Sequence, residues 1–141
     1  MWEGPVLVRD LLEDVLTENI PRPPEHNGVY AITEFPWENE PTVSARVLYV
    51  GTTTGKSRRF RTRIGDLIAD MFGFYGGGTG HHSGGQSIHE YCQCNNLHPF
   101  DLWIGWLPKV ENRRDFECHY YDTLKPLLNK KRPSDSAGVY D

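Results

Sequence analysis

A chain of 141 residues suits one domain with its own core, and 38% hydrophobic residues, with four Trp, seven Tyr and six Phe, exclude a wholly disordered polymer. No apolar run approaches the ~20 residues that a membrane-spanning helix needs. The formal charge of −4 hides an asymmetry: residues 1–42 hold nine acids and two bases, while residues 43–141 hold thirteen bases and ten acids.

In chain order, Val6 to Leu16 places apolar residues at roughly helical spacing with acids opposite. Pro21-Arg22-Pro23-Pro24 cannot continue that helix and reads as an extended connector. Gly28-Val29-Tyr30-Ala31-Ile32-Thr33 reads as a strand, 34–44 as a long polar loop, and Val47-Leu48-Tyr49-Val50 as a second strand forming a hairpin with the first. Phe60, Ile64, Leu67, Ile68 and Met71 mark an amphipathic helix, and five bases crowd the stretch from Lys56 to Arg63 at its start. Such a stripe on an acidic protein can still meet a polyanion, because salt confines each field to ~10 Å.

The glycine-rich 74–86 stretch around His81-His82-Ser83 reads as a mobile loop, followed by a short helix from Ser87 to Cys94. Leu102 to Leu107 is apolar on both faces and reads as a buried strand, and Phe116 to Leu124 as a closing helix. The expected division is an N-terminal helix and connector over 1–26, one domain over 27–132, and a flexible tail over 133–141. The N-terminus lacks the basic and apolar blocks of a secretory signal. Three cysteines, Cys92, Cys94 and Cys118, form no framework. Reduced thiols in the cytoplasm are the expectation.

The tripeptides Gly28-Val29-Tyr30 and Tyr49-Val50-Gly51, each in a predicted strand, resemble the signature of the GIY-YIG nuclease family. Three further features carry the likeness. Phe60-Arg61-Thr62-Arg63-Ile64 fits the family's apolar-x-x-Arg-apolar pattern, with Arg63 at the arginine and Arg59 as the alternative from an ungapped count. Glu117 precedes Pro126-Leu127-Leu128-Asn129, in the order the family has its helical glutamate and asparagine. The strand at Leu102 to Leu107 stands where the family has its third. The likeness covers residues 27–130. One departure is Leu67, where many members carry a histidine.

The resemblance implies an α/β fold: a small, mainly antiparallel three-stranded sheet flanked by helices, here with an N-terminal helical extension. It implies an endonuclease that hydrolyses phosphodiester bonds of nucleic acid, DNA in most members, with Mg²⁺ or Mn²⁺. On that basis Tyr30 is the base, Tyr49 and Arg63 hold the phosphate, Glu117 ligates the metal and Asn129 braces the site. Arg59, Arg61, His81 and His82 are expected substrate contacts. The residue types suit the chemistry. One carboxylate with waters matches the hydration that Mg²⁺ keeps, a guanidinium fork meets two phosphate oxygens, and a phenol becomes a base only beside a cation. No DNA-binding module of usable size accompanies the domain, so the expectation is a weakly specific nuclease, a subunit whose specificity comes from a protein partner, or a compact enzyme that reads DNA through loops 34–46 and 74–86. The rival is a non-catalytic nucleic-acid-binding or partner-binding domain on the same fold. A zinc site from the His and Cys residues fits poorly, since Cys92-Gln93-Cys94 lacks the usual ligand spacing.

Overall fold

The sheet is organised around Gly28–Thr33 (β2), whose six residues are all buried. The computed structural model describes residues 1–17, 28–52, 59–73, 83–108 and 113–129. Glu3–Leu7 (β1), Val47–Thr52 (β3) and Trp103–Pro108 (β4) join β2 in the order β1-β4-β2-β3, every neighbouring pair antiparallel. Val8–Thr17 (α1), Arg59–Met71 (α2), Ser83–Cys94 (α3) and Arg113–Leu124 (α4) complete the fold.

The sheet therefore has four strands, not the expected three, and the difference lies at the N-terminus. The segment expected to start a helix at Val6 is extended to Leu7, where Val6 and Leu7 pair with Ile104 and Trp103. The physical reason is β4 itself. A strand apolar on both faces belongs inside a sheet, and with β2 on one edge its other edge needs a partner. Val8 then donates its N–H to the Leu102 carbonyl (2.9 Å) as the chain turns into α1.

Alternation along the strands separates two cores. Tyr30, Ile32, Ile104 and Trp106 share the first with Val8 and Leu11 of α1, Ile64, Leu67 and Met71 of α2, and Ile88 of α3. Leu67 is fully buried here and is part of this packing. Each such leucine or isoleucine stabilises the fold by ~1.5–3 kcal/mol. On the opposite face Val29, Ala31, Val47, Val50 and Leu107 pack with Tyr120 and Leu124 of α4. Trp2 closes that side, edge-on to Trp37 (5.8 Å) and to Tyr120 (5.1 Å).

The 34–44 connection, expected to be a polar loop, carries Trp37 into this second core and ends in a short 3-10 turn, Val43–Ala45. Gly105 makes this possible, because a Cβ there would run into the Trp37 ring. No helix among the described residues is long and apolar enough to cross a membrane.

Candidate active site at the paired tyrosines

Tyr30 and Tyr49 project from β2 and β3 onto the face covered by α2 and α3. Their register is diagonal, Tyr30 opposite Gly51 and Ile32 opposite Tyr49. The rings lie 6.2 Å apart, tilted by 33°. Gly51 is what lets them meet. A Cβ there would stand 2.6 Å from both Cζ and Oη of Tyr30 and 2.9 Å from Cε2 of Tyr49. The Tyr30 hydroxyl therefore lies over a bare stretch of β3 backbone. Tyr30 is 1% exposed, and Tyr49 is half-buried. The first glycine of the motif has a separate cause: a Cβ on Gly28 would strike the Leu107 carbonyl of β4.

α3 supplies the other wall. It begins at Ser83, four residues earlier than the predicted helix, so Gly84 and Gly85 belong to a helical turn and not to a loop. Space explains both glycines. A Cβ on Gly84 would lie 2.5 Å from the Tyr49 ring, and one on Gly85 2.6 Å from Asp70 Cβ and 2.7 Å from the Leu67 carbonyl. The N-terminal turn of a twelve-residue helix is thus set against Tyr49. The N–H groups and positive dipole end of such a turn favour anions. The sequence carried the signal, Ser83-Gly84-Gly85 beside a helical pattern, but glycine composition pointed to a loop instead.

Asn129 holds the strand that carries Tyr49 and Gly51. Its Nδ2 donates to the Val50 carbonyl (2.8 Å), and its Oδ1 accepts from the Val50 N–H (3.0 Å). Leu127 and Leu128 donate their N–H groups to the carbonyls of Val47 (3.0 Å) and Leu48 (2.8 Å). The 126–129 strap therefore runs along the outer edge of β3, and the asparagine amide stands in for one residue of a fifth strand. Which backbone groups the Pro-x-x-Asn segment would satisfy was not visible in the sequence.

Glu117 sits on α4, whose Tyr120 and Leu124 pack against the sheet face opposite the tyrosines. It is 9% exposed. α4 ends at Leu124, and three residues later Leu127 donates to the Val47 carbonyl, which ties the end of the helix to the start of β3. Glu117, two turns before Leu124 on the helix face that also carries Tyr120, therefore hangs from the sheet face opposite the phenols. Arg59, Arg61 and Arg63 occupy the first turns of α2, beside the buried Ile64, and their side chains lie outside the described structure. His81 and His82 fall outside the described residues.

A link not anticipated from sequence ties α3 to the β2–β3 connection. The Tyr91 hydroxyl donates to Glu34 Oε1 (2.9 Å), and Arg46 Nη1 reaches Oε2 (3.4 Å) while its guanidinium lies over the Phe35 ring. Burial, and next the hydrogen bond to Glu34, push the Tyr91 phenol up from its ordinary value. Burial pushes the neighbouring Cys92 thiol up to about 11, with the Glu34 charge adding to it. Cys92 belongs to α3 and Cys118 to α4, on opposite sides of the sheet, and both are buried, while Cys94 is exposed. No group of three or more His, Cys, Asp or Glu placed to hold a metal occurs among the described residues.

No family model, no curated protein and no solved structure matches the chain.

Proposed function

We propose that this protein is a metal-dependent endonuclease of the GIY-YIG type, hydrolysing phosphodiester bonds in nucleic acid, DNA foremost. One observation carries the reading: the two motif tyrosines are packed together over Gly51, with Asn129 gripping the backbone between Tyr49 and Gly51. Three separated stretches of sequence meet there in the order the signature requires.

In this reading Tyr30, ionised to phenolate by neighbouring positive charge, would take one proton of the attacking water and become the neutral phenol. Tyr49, Arg63 and the N-terminal turn of α3 hold the phosphate and its developing charge. Glu117 would give the ion one hard carboxylate oxygen, which fits Mg²⁺ or Mn²⁺ with the rest of the shell left to water. The ion would supply charge neutralisation at the phosphate and a lowered pKa for its bound water. Asn129 keeps Tyr49 and Gly51 in register, so its contribution is positional. The exposed Cys94 thiol suits a reducing compartment, and we assign the protein to the cytoplasm.

A second reading is favoured by one observation. Tyr30 and Glu117 are both nearly closed to solvent, as in a domain that keeps the fold for binding alone. Cleavage of single-stranded, duplex and branched DNA with Mg²⁺ or Mn²⁺ separates the two. Wild-type protein should cut, with Glu117→Ala and Tyr30→Phe each slowed at least about a hundredfold. Wild-type activity in Glu117→Ala overturns the metal assignment, and binding without cutting by the wild type establishes the second reading.

A further inference from the structure

A groove of about 470 Å³ lies between the outer face of α3 and the 127–129 strap. We propose that it binds one unpaired nucleobase flanking the cleaved phosphodiester, with preference for a base that carries an exocyclic amine. This rests on the nuclease reading above and names the form of substrate that suits it.

Position is the first argument. Ser87 and Asn129 both line the groove. Ser87 lies one turn beyond Gly84, which abuts the Tyr49 ring, and Asn129 grips Val50. The groove therefore lies next to the candidate site, one helical turn along α3 from the glycine that abuts Tyr49.

Size is the second. The volume falls within the ~300–1,000 Å³ of small-ligand pockets, too small for a duplex and sufficient for a base. The walls fit a flat, amphipathic guest. Leu127 is 56% exposed although its backbone is committed to β3, and Leu128 lines the groove beside it. Tyr91 also lines the groove, and its hydroxyl is held by Glu34, which fixes an aromatic side chain of the kind on which bases stack.

The polar groups decide the class. Glu90, exposed on α3, would repel a phosphate in the groove but accepts hydrogen bonds from an exocyclic amine such as cytosine N4. Asn95 also lines the groove, with its Nδ2 donating to the Tyr91 carbonyl (2.8 Å).

The test is fluorescence anisotropy in EDTA, with a labelled blunt duplex and the same duplex bearing a cytosine or a thymine single-stranded extension. Wild-type protein should bind the extended duplex about tenfold more tightly than the blunt one, the effect of one stacked base. Cytosine should exceed thymine about fivefold, the effect of one amine contact. Leu127→Asp should remove the advantage of the extension, and Glu90→Ala the advantage of cytosine, each read as a ratio of affinities within one variant, with melting temperature unchanged in both. Equal binding of blunt and extended duplex by the wild type overturns the proposal, as does a Leu127→Asp variant that keeps the full advantage. Cutting with Mg²⁺ but without any extension preference overturns the groove and leaves the nuclease standing. Extension preference without cutting does the reverse, and failure to bind any DNA overturns both.

Discussion

Gly51→Ala is the most direct perturbation of the paired tyrosines. The new methyl would stand 2.6 Å from two atoms of Tyr30 and 2.9 Å from one of Tyr49, where carbon atoms settle at ~3.5–4.0 Å. Tyr30 is buried on all sides and cannot swing out. The cost therefore belongs at the upper end of overpacking, ~3 kcal/mol, offset by the ~0.5–1 kcal/mol that Ala gains over Gly in a strand. A net loss of about 2 kcal/mol follows. Gly65 is the internal control, since it lies inside α2 with open space around it, and Gly65→Ala should stabilise by up to ~1 kcal/mol. Urea unfolding of the two variants should therefore differ by about 3 kcal/mol. Adding Tyr30→Phe to Gly51→Ala removes one of the two closest clashes, so the double variant should be more stable than the sum of the single changes predicts. If the two glycine variants unfold within ~0.5 kcal/mol of each other, the close packing of phenols over Gly51 is refuted. In a cleavage assay the same displacement of both rings should cost about a hundredfold in rate.

Asn129→Ala leaves the Val50 N–H and carbonyl without their partner and should cost about 1–3 kcal/mol, with the Val50 amide exchanging faster by NMR; unchanged exchange would refute the clamp. Gly84→Ala should destabilise and quench or shift Tyr49 fluorescence, because helix and ring cannot both keep their places. Cys92 and Tyr91 both titrate higher when folded, so each contributes stability fully present below its unfolded pKa and lost as pH rises through the folded one. Stability should thus fall between pH 9, the ordinary value for the thiol, and about 11, and Cys92→Ala should flatten that slope in urea titrations. Of the three cysteines, Cys94 alone should react rapidly with a thiol reagent in the native state.

What could be read from the residues depended on whether the cause was local. Strands β2, β3 and β4 announce themselves through β-branched and aromatic runs, and α2 through its apolar spacing. β1 is set by a demand about a hundred residues away, the second open edge of β4, while the apolar spacing around it suits a helix equally well. The first turn of α3 was hidden because glycine usually marks a loop, and here the ring of Tyr49 and the backbone of α2 forbid anything larger. The tyrosines and Asn129 could be named from the motif. That the asparagine acts by completing a strand, and that Glu117 hangs from the opposite face of the sheet, required the fold.

The strap along β3 has a consequence for where the chain can be cut. A protein ending at Lys125 would retain the four described strands and the four described helices, and among the described residues its apolar core would lose the flank of Leu128. It would nevertheless bare the carbonyls of Val47 and Leu48 and both polar groups of Val50. Such a row is a template for another molecule's extended segment, so this shortened chain should self-associate into ordered aggregates at concentrations where the longer one stays dispersed.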